Sequence, residues 1–121
     1  MPKRSMELQL ICALICATDI PLSERQLKRV SKRASISLGR TGSFLGNGSG
    51  DISIAFTTAN KIKHYEENDL INIGCINENK IDIVFRALVE SVEESVLSSM
   101  IHSKDTIGRD LNKRESILKY L

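Results

Sequence analysis

The chain has 121 residues, 41% of them apolar, with 17 basic and 15 acidic side chains for a formal charge of +2. That length and apolar share suit one folded domain with one hydrophobic core. The slight positive excess, the lack of Trp and the 4% aromatic content exclude the concentrated basic, base-stacking surface that nucleic acid requires.

Residues 1–6 are basic and are followed by an apolar run, residues 8–17. The run contains Gln9 and leads to Asp19 and Pro21 rather than to a small-residue cleavage site, so it does not read as a secretory signal. It is too short to span a bilayer, and the protein is expected to be soluble, without a membrane partner. Its Ile, Leu and Cys content fits a strand buried on both faces, although periodicity leaves a helix open. Cys12 and Cys16 lie in this run. With Cys75 they make an odd set without metal-ligand spacing, and reduced, buried cysteines in a cytoplasmic protein are the expectation.

Ser23 opens a helix. Ser23-Glu24-Arg25-Gln26 is a capping box, and Leu22 with Leu27 forms a hydrophobic staple. Leu27, Val30, Ala34 and Leu38 follow helical spacing as the buried stripe. Arg25, Lys28, Arg29, Lys32 and Arg33 crowd the remaining positions and read as a solvated face rather than an anion site. Gly39 is expected to end this helix.

Five of the seven glycines fall in residues 39–51. Such density marks a loop that bends sharply and admits another backbone closely. Ser49 sits between Gly48 and Gly50, followed by Asp51 and an alternating strand from Ile52. A hydroxyl in that setting can be presented as a nucleophile at a sheet edge, with backbone N–H groups for a developing oxyanion. The commoner use of such spacing is a connection without chemistry. A phosphate loop would need Lys and then Ser or Thr after its last glycine, and a dinucleotide loop would precede a helix; neither holds here.

In the strand, Ile52, Ile54 and Phe56 share one face, expected to be core. Ser53, Ala55 and Thr57 share the other, small enough to be packed closely. Residues 58–82 are polar and mixed, with a short strand expected over 70–76; His64 reads as a loop surface residue. A long helix begins near residues 80–82, with Asp82 at the positive end of its dipole. Val84, Phe85, Leu88, Val92, Val96 and Met100 form its apolar stripe, so Phe85 and Met100 are expected in the core. Ser91, Glu94 and Ser95 share a face beside that stripe and could reach into a cleft. The tail reads as loop plus a short terminal segment.

Taken together, Ala17-Thr18-Asp19-Ile20-Pro21-Leu22, Gly39-Arg40-Thr41-Gly42-Ser43, Gly46-Asn47-Gly48-Ser49-Gly50-Asp51-Ile52 with Ala55-Phe56-Thr57-Thr58-Ala59-Asn60, the segment Val89-Glu90-Ser91-Val92-Glu93-Glu94-Ser95-Val96, and Thr106-Ile107-Gly108-Arg109-Asp110 resemble, in order, the L-aminopeptidase/D-esterase family of self-processing serine aminopeptidases, which includes the β-aminopeptidases. The resemblance implies an α/β fold, part of a four-layer α-β-β-α sandwich, in the order strand, helix, glycine loop, strand, strand, helix. It implies a cut between Gly48 and Ser49, with residues 1–48 ending a first subunit and residues 49–121 forming the second. Ser49 would be both new N-terminus and nucleophile, with Asn47, Gly48 and Gly50 as loop and oxyanion positions. Glu94 matches the family's carboxylate on the long helix, and Ser91 is the hydroxyl near it. Val92 stands where the family carries a small hydroxyl residue. The implied substrates are short peptides, amino-acid amides or esters, with no cofactor and no metal, and the complete protein is expected to be a homo-oligomer. The likeness starts only at the end of the family's first subunit. The chain is therefore expected to be a fragment, a truncated copy, or half of a split protein whose missing N-terminal portion is a separate chain; the alternative function is a catalytically silent interaction module.

Overall fold

A computed structural model describes residues 12–121. Residues 8–11 of the expected first strand lie outside the described residues. The elements run β1 (Ala13–Thr18), α1 (Glu24–Ser31), α2 (Ala34–Arg40), β2 (Ile52–Thr57), α3 (Ile81–Ile101), then β3 (Thr106–Ile107) and β4 (Lys113–Arg114). β1 and β2 pair in parallel, from Ala13 opposite Ile52 to Thr18 opposite Thr57. A parallel pair needs a crossover, and α1 with α2 supplies it.

The capping box forms as expected: the Ser23 hydroxyl accepts from Gln26 N–H, and the Gln26 side chain accepts from Ser23 N–H. The expected single helix is instead two. It breaks at Lys32 and Arg33, where Arg33 N–H returns to Val30 O at 2.9 Å. No Gly or Pro marks the break. Ser31 and Ser35 donate to the carbonyls of Lys28 and Lys32, a local bonding that competes with regular helix. The Arg33 guanidinium then lies 3.7 Å from the Phe85 ring centroid, where cation–π attraction rewards the displaced geometry.

The core lies between α1, α2 and α3, on one side of the sheet. Leu22, Val30, Ile81, Val84 and Phe85 form one buried cluster, and Ala34, Leu38 and Val92 are buried as well. Each such aliphatic or aromatic side chain contributes about 1.5–3 kcal/mol on burial. Ser37, fully buried, donates to Val89 O at 2.8 Å and ties α2 to α3. Gln26, also buried, donates to Ile76 O at 2.8 Å. The basic face of α1 is only partly solvated. Lys28 and Lys32 face out, whereas Arg25 and Arg29 both pair with Glu78 just before α3.

Four expectations are corrected. β1 is not buried on both faces: Leu14, Cys16 and Thr18 are half-buried toward the helices, while Ile15 on the other face is 76% exposed. In β2 it is the small face that packs inward, with Ser53 donating to Ser31 O and Thr57 to Ile20 O. Ile52, Ile54 and Phe56 are exposed rather than core. Small side chains let a helix approach a sheet closely, and among the described residues nothing lies opposite the larger ones. The cysteines are free but not fully buried, and Cys75 is exposed. Finally, residues 70–76 form no strand. The Asn60 side chain accepts from Gly74 N–H at 3.0 Å and donates to Gly74 O at 2.9 Å. One side chain thereby takes the backbone groups a neighbouring strand would have satisfied.

In the tail, β3 and β4 form a two-residue antiparallel bridge, Thr106 opposite Arg114 and Ile107 opposite Lys113. Asp105 accepts Ser116 N–H at 2.8 Å and pairs with Lys113 and Lys119. No helix among the described residues is long and apolar enough to cross a membrane.

Candidate active site

The glycine loop leaves α2 through a paired C-terminal turn: Ser43 N–H bonds Leu38 O at 2.9 Å and Gly42 N–H bonds Gly39 O at 3.2 Å. The residue that needs positive φ is Gly42, at 99°. Gly39, expected to terminate the helix, lies within it instead, because the motif places its left-handed residue after the last carbonyl that it must satisfy.

Beyond Ser43 the loop doubles back. Leu45 has φ 51°, unusual for a branched residue. A turn over Gly46, Asn47, Gly48 and Ser49 follows, closed by Ser49 N–H to Gly46 O at 2.9 Å. The Ser49 hydroxyl donates to the same oxygen, also at 2.9 Å. Asp51 then accepts Cys12 N–H at 3.1 Å, and Ile52 N–H bonds Cys12 O at 2.9 Å. The half-buried Ser49 is thus held at the start of the β1–β2 ladder. Burial and, next, the Asp51 charge push the Cys12 thiol above its ordinary value, which keeps it protonated and a poor nucleophile.

Beside Ser49 lies a half-open cleft of about 1030 Å³, walled by the loop, the start of β1 and the last turns of α3. Asn47 and Gly48 line it with Ser49; Gly50 is exposed and does not. From α3 it receives Ser95, Val96, Ser99 and Met100. Among the described residues, no Asp, Glu, Lys, Arg or His lines it.

The expected helix partners are not all brought to this cleft. Ser91 is exposed, donates to Ala87 O at 2.8 Å and lines an adjoining cleft that Ser95 shares. Glu94 lines a third cleft with Glu90, Glu93 and His102. One position along α3 is about 100° of rotation, so Glu94 and Ser95 face different ways. Val92 is 6% exposed in the helix core. Met100, expected in the core, is 39% exposed as a cleft wall. Ser99 was not singled out by sequence reasoning. Its spacing of four from Ser95 was the available signal, but it needed the loop's position to give it meaning. His64 is exposed and packs edge-on against Tyr65 with ring centroids 4.5 Å apart. Among the described residues no group of three or more His, Cys, Asp or Glu is placed to hold a metal ion.

This arrangement has relatives. The family model for peptidase family S58 matches residues 9–114. The β-peptidyl aminopeptidase BapA of Sphingosinicella microcystinivorans is 35% identical over 95 residues, which is 78% of this chain and 24% of that protein. The crystal structure of the PH0078 protein of Pyrococcus horikoshii OT3 superposes with a TM-score of 0.78 at 45% identity, covering 84% of this chain and 29% of that one. The L-aminopeptidase D-Ala-esterase/amidase of Ochrobactrum anthropi, described as a prototype of the serine aminopeptidases and a variant of the Ntn hydrolase fold, gives 0.76 at 36% identity, covering 88% of this chain and 33% of that one. The chain therefore spans about a quarter to a third of the length of these relatives. With the family match running from within the apolar N-terminal stretch to β4, and the glycine loop inside it, the chain belongs to peptidase family S58.

Proposed function

We propose that this chain carries the nucleophile-bearing portion of a serine aminopeptidase that activates itself by cutting between Gly48 and Ser49. The observation that carries the reading is the Ser49 hydroxyl, held in a glycine turn at the mouth of an uncharged cleft. In the self-cleavage step Ser49 Oγ attacks the Gly48 carbonyl carbon, the Gly48–Ser49 C–N bond breaks, and the hydroxyl proton passes to the departing nitrogen. The product is an ester on Ser49 Oγ and a free α-amine. Water opens the ester, leaving a carboxylate on Gly48 and restoring the hydroxyl. The new amine has an ordinary pKa of about 7.7–8.0, so near neutral pH part of it is unprotonated and can accept the hydroxyl proton during substrate attack. Substrates are N-terminal residues of short peptides, amides or esters. Asn47 and the Gly48 and Gly50 backbone are the oxyanion candidates on this side, Ser91 and Glu94 the candidates on α3. The bare Ile52, Ile54 and Phe56 face fits the seat of a second sheet, which would make this portion the outer half of a four-layer sandwich in a complete homo-oligomeric protein.

The test supplies, as a separate chain, the N-terminal portion that the proposed complete enzyme would carry, and weighs the products by mass spectrometry. Scission before Ser49, absent in Ser49→Ala, is the expected result; an intact wild-type chain removes self-cleavage from the reading. A silent interaction module is the second reading, favoured by Val92 in the helix core and by Glu94 facing another cleft. Ser49-dependent hydrolysis of amino-acid amides, β-peptides or D-amino-acid esters would exclude it.

A further inference from the structure

Phe44 is a large apolar side chain left 88% exposed, and core packing does not account for its position. Its ring lies on Gly46. A Cβ built at Gly46 would sit 2.6 Å from Phe44 Cε2 and 3.1 Å from Cζ, closer than real Cβ atoms come. Gly46 is not at positive φ, the glycine with a left-handed backbone being Gly42, and Phe44 supplies the contacts that a Cβ there would meet. Leu45 supplies the fold-back that puts the ring there, at φ 51° and with its N–H on the Ser43 hydroxyl at 3.3 Å. Gly46 O in turn receives both the N–H and the O–H of Ser49, each at 2.9 Å.

We propose that Phe44 is a positioning residue for Ser49: its ring, seated on Gly46, fixes the one carbonyl that orients the nucleophile's amide and hydroxyl before cleavage. The ring lies against Gly46, and that contact restrains the rotation of the peptide plane whose oxygen Ser49 uses. The proposal rests on Ser49 being the nucleophile, but the geometry that it predicts can be measured without turnover.

The measurement is amide hydrogen exchange at Ser49 by NMR in the intact 121-residue chain. Phe44→Ala is expected to speed Ser49 exchange several-fold while leaving the thermal midpoint unchanged, because the ring is almost wholly solvent-exposed. Phe44→Tyr, which keeps the ring, should retain the wild-type rate. Gly46→Ala should mimic Phe44→Ala, since the added methyl takes the place that the ring occupies and pushes it off the turn. The double variant should be no faster than either single one, the non-additivity expected of two residues acting through one contact. Ser49 exchange unchanged in both single variants overturns the proposal, as does a double variant whose effects simply add. With the N-terminal portion supplied, self-cleavage is followed in parallel. Loss of scission in Phe44→Ala with recovery in Phe44→Tyr supports positioning of the reacting group. Normal scission in Phe44→Ala overturns it. If even the wild type is not cut, the peptidase reading fails, while the exchange data still decide whether Phe44 holds the Ser49 turn.

Discussion

The two faces of the β1–β2 sheet are built from the same strands and have opposite fates. Toward α1–α3 the strands present Leu14, Cys16, Ser53, Ala55 and Thr57, mostly small or polar, and these are half-buried. Away from the helices they present Ile15, Ile52, Ile54 and Phe56, all large and all at least 44% exposed. Burial here follows fit rather than hydrophobicity of the strand residue alone. The helices bring their own apolar stripe and need a flat, small surface to lie on, whereas the greasier surface needs a partner of equal size. This bare apolar face is the one on which the proposed second sheet would sit.

The contrast can be broken most severely from the covered side. Leu38 is completely buried between α2 and α3, so Leu38→Ala should cost about 2–5 kcal/mol, read as a lower urea midpoint with little change in slope. A loss below about 1 kcal/mol would mean that the helix side is no better packed than the bare side.

Acid should sharpen the contrast by loosening the tail and not the helices. Asp105 is lowered from 3.8 to about 2, first by the Ser116 N–H and then by Lys119; Glu115 is lowered from 4.5 to about 2, first by Lys119 and then by the Tyr120 hydroxyl. A depressed carboxylate stabilises the fold above its unfolded pKa, and that support is lost as pH falls through the folded value. The tail's amide protection should therefore be complete above pH 4.5, decline below it and be gone just under pH 2. Exchange-coupled NMR between those limits checks this, and simultaneous loss of α3 protection would contradict it.

The smallest effect belongs to the bare face. Ile54→Thr, on a residue 58% exposed, should change the stability of the isolated chain by no more than about 0.5 kcal/mol, and it should raise its solubility. A loss comparable to that of Leu38→Ala would show that the face is covered in the chain as it stands.

Much of the fold is legible in the sequence wherever the signal is local. The capping box at Ser23 and Gln26 announces α1, the stripe from Val84 to Val92 announces α3, and the Gly46–Asp51 run announces the sharply turning loop before β2. The alternation in β2 says correctly which residues share a face, but not which face the helices choose, because that depends on elements elsewhere. The break between α1 and α2 goes with a contact between Arg33 and Phe85, more than fifty positions downstream, which no local pattern announces. The non-strand at residues 70–76 depends on Asn60. At the site, the sequence singles out Ser49, Ser91 and Glu94, but which side of α3 meets the loop is set by how that helix seats on α2, and it brings Ser95 and Ser99 there while turning Glu94 away.

The Asp51 carboxylate holds the Cys12 amide, and every rung from Ala13 to Thr18 is matched by one from Ile52 to Thr57. Severing the backbone at Gly48 would therefore release almost nothing. Under the proposed cut, the segments on either side of the nick would stay laced together by the parallel ladder and by the α2–α3 interior, so the new amino group would remain beside the Ser49 hydroxyl and no reassembly would be required.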